Sequence, residues 1–111
     1  MSMVEQILDL ISILIDKTKS DKLDWINVRD VEISVYDCKI NEATSIRIKS
    51  FLSGEIMIKI GGMCFFTSDI PIIKDSLLRL TSEIFTKEHY KKEFEERLLE
   101  LANITLEIEK I

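Results

Sequence analysis

Two glycine-containing turns, Ser53-Gly54 and Gly61-Gly62, divide residues 45–66 into three short runs in which apolar and polar side chains alternate. Alternation with a period of two places every second side chain on the same face of a β-strand. Runs this short, joined by turns that contain glycine, are typical of hairpins. The segment therefore predicts three antiparallel strands, and the rest of the chain has to fold around them.

The length of the first turn sets the strand register. A two-residue turn at Ser53-Gly54 would pair Ile48 with Lys59 and mix apolar and charged side chains on one face. A three-residue loop with Gly54 in the left-handed region separates the two faces, and a two-residue Gly61-Gly62 turn continues the isoleucine face. We therefore predict the pairs Ile48–Ile58, Ile46–Ile60, Ile60–Met63 and Ile58–Phe65.

The same register collects basic and aromatic side chains on the reverse face, with Arg47 directly opposite Lys59, which is a destabilising like-charge pair. Two interpretations are open: the C-terminal helices cover this face with their acidic residues, or the face binds an acidic partner. Cys64 is expected there too. The candidate binding surface consists of Tyr36, Arg47, Lys49, Phe51, Met57, Lys59 and Phe66.

The N-terminal residues predict a helix that needs cover on more than one side. Ser2 and Glu5 form a capping-box pattern at its start, and Val4, Ile7, Ile11 and Leu14 recur at helical spacing. Leu10 and Ile13 widen this apolar stripe, so we expect a second helix or a second subunit against it.

Between this helix and the glycine turns, the pattern predicts further strand structure. Val31, Ile33 and Val35 alternate with polar residues and Tyr36, which indicates a strand with these three side chains on its buried face. Trp25 is interpreted as a core residue, because Asp24 and Asp30 do not supply the basic company of a stacking platform.

The C-terminal third predicts two helices. Asp69 as N-cap and Pro71 in the first turn start one near Ile70, with Ile73, Leu77, Leu80 and Ile84 on its apolar side. An unbroken helix to residue 111 would measure about 60 Å, twice the span of a small domain, so we expect a break with a new N-cap at Thr86.

The last helix carries Phe94, Leu101 and Ile108 at intervals of seven, with Ile104 and Ile111 between them, as in a short coiled-coil seam. We expect a two-fold homodimer; packing of the chain's own helices on each other is the alternative. The candidate oligomer interface consists of Leu10, Ile13, Phe94, Leu101, Ile104 and Ile108.

Composition limits the functional classes. With 111 residues the chain fits one α+β domain, residues 1–111, and 20 acidic against 15 basic side chains give a net charge of -5. That charge argues against general nucleic-acid binding and binding to anionic membranes. The start lacks the basic region of a signal peptide, so we expect a cytoplasmic protein with Cys38 and Cys64 reduced.

No pattern for catalysis or cofactor binding is present. His89 and Glu93 could supply two metal ligands one helical turn apart, whereas a metal site needs three or four. Neither a nucleophile–base motif nor a phosphate-binding loop occurs. We therefore expect no enzyme activity, no metal and no cofactor.

The opening helix, Thr18, the Lys22-Leu23-x-Trp25 segment and the strands that follow resemble small accessory proteins of bacteria and phages. The resemblance covers about the first two-thirds of the chain and implies an interaction or regulatory role, including one in phage–host conflict. We expect a protein-binding inhibitor, adaptor or chaperone-like accessory protein. The alternative is a binder of a small anionic ligand such as a nucleotide signal, held by Arg47, Lys49 and Lys59 with Tyr36 or Phe66 stacked on it.

Overall fold

A computed structural model of the chain describes residues 2–29 and 33–111. It has an N-terminal helix, a five-stranded antiparallel sheet and one long C-terminal helix, which confirms the predicted α+β class. The elements are α1 (Met3–Lys19), β1 (Trp25–Arg29), β2 (Ile33–Lys39), β3 (Ser45–Phe51), β4 (Ile56–Ile60), β5 (Met63–Phe66), a 3-10 turn (Pro71–Ile73) and α2 (Lys74–Glu109).

The five strands lie side by side in chain order, as a meander with β1 and β5 at its edges. All four predicted pairs on the isoleucine face are present, from Ile46–Ile60 to Ile58–Phe65. Gly54 has a φ of 90° and Gly61 a φ of 58°, so both turns depend on a backbone conformation that residues with a Cβ adopt at a cost. The prediction of the hairpin register from the turn lengths is therefore confirmed.

The faces of β2 are the reverse of the prediction. Tyr36 pairs with Ile48 and Cys38 with Ile46, which places these two side chains on the isoleucine face, where both are buried. Ile33 and Val35 lie on the other face, and Val31 is outside the described residues. The physical reason is that β2 continues to Lys39, and within it Tyr36 and Cys38 alternate with the charged pair Asp37 and Lys39.

Both helices pack on the isoleucine face of the sheet, so the molecule has two layers. α1 contacts the first half of α2, which supplies the second helix that the wide apolar stripe of α1 predicted. Ser2 caps α1 by accepting a hydrogen bond from the Glu5 amide. The core of the described residues consists of Ile7, Ile11, Leu14, Tyr36, Ile46, Ile48, Ile56, Ile58, Ile73, Leu77, Leu80 and Ile84.

The prediction of two C-terminal helices is wrong, because α2 continues without a break through 36 residues. Thr86 lies within the helix instead of capping a new one. Neither glycine nor proline occurs after Pro71, so no residue forces a break, and an N-cap preference alone does not end a helix that is already formed. Ile70, and not Asp69, occupies the N-cap position of the 3-10 turn, and its side chain makes no capping hydrogen bond. Because α2 is unbroken, the molecule is 67 Å long and only 28 by 24 Å across.

Candidate functional site

The last part of α2 extends beyond the two-layer body. We call residues 89–111 the tail; at the usual rise per residue its helical part is about 30 Å long. Every residue from Phe94 onward is exposed. Four large apolar residues of the tail, Phe94, Leu101, Ile104 and Ile108, are 48–63 % exposed. With Ile111 they form the predicted apolar row, which we call the seam, and nothing in the described chain covers it.

The seam is offset from the core-facing side of α2. Steps of seven residues lead from Ile108 back through Leu101, Phe94 and Lys87 to Leu80, and Leu80 is completely buried. Each heptad interval drifts by about 20°, so the four heptads from Leu80 to Ile108 add up to roughly 80°. The tail therefore exposes a row of large apolar side chains that is turned away from the side that α2 packs on the body.

Acidic side chains border the seam on one side. A glutamate directly precedes each of Phe94, Leu101 and Ile108: Glu93, Glu100 and Glu107. The tail as a whole has six acidic side chains against four basic ones. Arg97, seven residues before Ile104, is the basic side chain within the row. The seam is therefore an apolar surface with an anionic border and one cation inside it.

Where the tail leaves the body, a crevice of about 840 Å³ opens between α2 and the segment that joins α1 to β1. Three polar contacts hold its walls. The Lys87 Nζ lies 3.0 Å from an Asp21 carboxylate oxygen, and the Asn27 side-chain amide donates to both Glu88 carboxylate oxygens over 3.3 Å. The Trp25 indole N–H donates to the Thr18 hydroxyl over 3.0 Å. These contacts thus hold α2 against the edge strand β1 and the segment before it, at the point where the tail begins.

The outer face of the sheet, opposite the helices, is the second uncovered surface. Both helices of the described chain pack on the other side, so the interpretation that the C-terminal helices cover this face is wrong. Although no helix covers this face, Met57 is only 5 % exposed, because its cross-strand neighbours Lys49 and Phe66 flank it on the two adjacent strands. The register places Ile26, Val28, Ile33, Val35, Asp37, Lys39, Arg47, Lys49, Phe51, Met57, Lys59, Cys64 and Phe66 on this face.

Arg47 is less available than its position suggests. Its Nε lies 2.6 Å and its Nη2 2.9 Å from the two carboxylate oxygens of Asp37 on the neighbouring strand. This paired hydrogen bond raises the pKa of Arg47 above its ordinary value. It also offsets the repulsion from Lys59, which lies directly opposite Arg47 on β4. Lys39, Lys49 and Lys59 are then the cations of this face that the described contacts leave without an ion pair.

Three of the residues predicted to form these surfaces lie elsewhere. Tyr36 is buried on the helix side, so the prediction that it belongs to the outer face is wrong, and a ligand on that face could not stack on its ring. Leu10, a residue of α1, is partly buried and packs against the core. Ile13 is exposed on the outside of α1 and lies apart from the seam. Arg47, Lys49, Phe51, Met57, Lys59 and Phe66 do share the outer face as predicted.

Sequence reasoning missed the apolar contribution of β1 to the outer face. Ile26 and Val28 pair with Asp37 and Val35 and project on this side, and Ile26 is 66 % exposed. The alternation of Trp25 and Asn27 with these two residues was the available signal. It identifies the faces only once the pairing of β1 with β2 is known.

The described residues offer little for redox or metal chemistry. Burial, together with the negative charge of Asp24, raises the pKa of the Cys38 thiol above its ordinary value, so this thiol stays protonated at neutral pH. Cys64 is exposed on the outer face. The His89 Nε2 lies 3.4 Å from the Glu93 Oε1. No group of three or more potential metal ligands occurs in the part of the chain that the structure describes.

Comparison with protein-family models, curated proteins and solved structures gave no match to this chain. Among residues 2–29 and 33–111, neither helix combines the length and the apolar character that crossing a membrane requires.

Proposed function

We propose that this protein is a non-enzymatic protein-interaction module that binds its partner through the seam of the tail. The observation that carries the proposal is the helix itself: α2 continues past the body and exposes there a row of large apolar side chains. An apolar row of this length, bordered by charged residues on a helix, is the usual form of a helix that packs against another protein surface.

The energetics favour an occupied seam. Most of the stability of a helix in a protein comes from the packing of its apolar face, and within the described chain nothing packs on the far end of the tail. Each Leu, Ile or Phe side chain that becomes fully buried contributes about 1.5–3 kcal/mol. Burial of the five seam residues can therefore offset the several kcal/mol that association costs.

The role we propose is that of an inhibitor, adaptor or chaperone-like accessory protein acting in the cytoplasm. The resemblance to accessory proteins of bacteria and phages fits such a role and extends the proposal to phage–host conflict. Binding of a small anionic ligand on the outer face has less support, because Tyr36 is buried and the charge of Arg47 is engaged by Asp37. We therefore favour a protein partner.

Size-exclusion chromatography with light scattering tests the proposal, on the purified chain and again after passage over a bacterial lysate. The expected result is a mass above the 12.9 kDa of one chain, from self-association or from a retained protein. The substitution Leu101→Glu should abolish this excess, since it places a charge in the middle of the seam.

Leu78→Glu is the matched control, because Leu78 is also exposed on α2 but lies on the body, away from the seam. It should leave the measured mass unchanged. A strict monomer that retains no protein, or an equal effect of both substitutions, would contradict the proposal.

A further inference from the structure

We infer that the partner of the seam is the outer sheet face of a second copy of this chain, and that two copies exchange their tails about a two-fold axis. The inference rests on the proposed function and identifies the partner it leaves open. It covers the seam and the outer face, the two uncovered surfaces defined above for the described residues, in a single assembly.

Charge complementarity is the first support. The seam is bordered by Glu93, Glu100 and Glu107, whereas the described outer face has four basic side chains, Lys39, Arg47, Lys49 and Lys59, against the single acid Asp37. Lys49 and Lys59 have no ion-pair partner among the described contacts. Opposite charges around apolar centres are what a specific interface requires.

The reach of the tail is the second support. The hydrogen bonds from Asn27 to Glu88 place α2 beside the edge strand β1, and the tail continues past this point with a helical part of about 30 Å. A tail of this length can lie along the outer face of a second sheet that is placed beside the first and turned over by a two-fold axis. The same operation places the second tail against the outer face of the first copy.

Pairing of two tails with each other is less favourable. In an antiparallel pair the glutamate rows of the two helices would face one another. In a parallel pair, Glu93 and Glu100 would face Leu98 and Thr105 of the other tail, so no opposite charge would be met. Two paired tails would also leave both outer faces exposed, with Ile26 and Val28 uncovered.

Two charge-reversed variants test the inference by light scattering. One carries Lys49→Glu and Lys59→Glu on the sheet, and the other carries Glu100→Lys and Glu107→Lys on the tail. The wild type should have twice the mass of one chain, and each variant alone should be monomeric, with a dimer dissociation constant raised at least tenfold. An equimolar mixture of the two variants should be dimeric, because each of its two interfaces then joins opposite charges.

The control variant carries Lys22→Glu and Lys74→Glu, which change the net charge equally at exposed positions outside both surfaces. It should remain dimeric. Because Lys49 is half-buried, its replacement could unfold the sheet; Lys59→Glu mixed with Glu100→Lys then provides the same test at exposed positions. Circular dichroism establishes that each variant is folded.

Three outcomes would overturn the inference. If the sheet variant alone dimerises like the wild type while Leu101→Glu does not, the tails pair with each other, and the inference fails although the proposed function stands. If the wild type is monomeric but captures another protein through the seam, the partner is not a second copy. If no seam-dependent association of any kind is found, the inference and the proposed function fail together.

Discussion

At the scale of single residues, one hydroxyl joins the end of α1 to the start of β1. Thr18 is 2 % exposed; its hydroxyl donates to the Leu14 carbonyl over 2.7 Å and accepts the Trp25 indole N–H over 3.0 Å. A buried donor that loses its acceptor costs more than an average hydrogen bond contributes. This contact therefore stabilises the wall of the crevice from which the tail departs.

Replacement of Thr18 by valine keeps the shape of the side chain and removes the acceptor. We predict that Thr18→Val lowers the free energy of unfolding by about 1–3 kcal/mol, because the Trp25 N–H is left unpaired. Urea titration at one fixed protein concentration, followed by the fluorescence of the single tryptophan, measures this change in the free energy of unfolding. Thr18→Ser, which keeps the hydroxyl, is the control; a larger loss for serine than for valine would contradict the account.

At the scale of elements, the turn glycines set the sheet register, and they do so through the backbone alone. A Cβ added at Gly61 or at Gly62 would meet no atom within 4 Å, yet only Gly61 has a positive φ. The two neighbouring positions therefore separate backbone strain from crowding.

We predict that Gly61→Ala destabilises the protein by roughly 1–2 kcal/mol, the cost of the left-handed conformation for a residue with a Cβ. Gly62→Ala should cause no loss, since alanine fits its backbone and restricts the unfolded chain. Thermal or urea unfolding of the two variants in parallel measures the difference. Equal stability of the two variants would show that the turn has another geometry.

The elements also show how far the sequence allows prediction. The isoleucine face, its register and the fold class follow from alternation and turn length, which are local properties. The faces of β2 were reversed, because apolar residues occupy both sides of that strand and only its pairing with β3 decides between them. The continuity of α2 was missed because the expected size of a domain was given more weight than the lack of glycine and proline after Pro71.

For the candidate site, the seam residues Phe94, Leu101, Ile104 and Ile108 were predicted from their spacing, and their exposure needed the structure. Spacing alone does not tell a buried stripe from an exposed one, since the row that ends in the tail begins with the buried Ile73 and Leu80. Likewise, the sequence placed Arg47 on the outer face but did not reveal its ion pair with Asp37.

At the scale of the whole molecule, the shape and the uncovered surfaces have one explanation. A body with helices on one face of its sheet leaves the other face open, and the tail extends from that body with an apolar side exposed. Tail exchange between two copies would cover both. The central claim is that protein covers the seam, and that in the purified chain the covering protein is a second copy.

Hydrogen exchange of the tail amides at increasing protein concentration tests this claim most directly. A covered helix exchanges slowly, whereas an uncovered helix end frays, because it lacks the packing that supplies most of a helix's stability. We predict that the protection of residues 94–108 rises with concentration in the wild type and stays low in Leu101→Glu, while the core strands β3 and β4 are protected alike in both. Tail protection that is independent of concentration and equal in the two proteins would contradict the account.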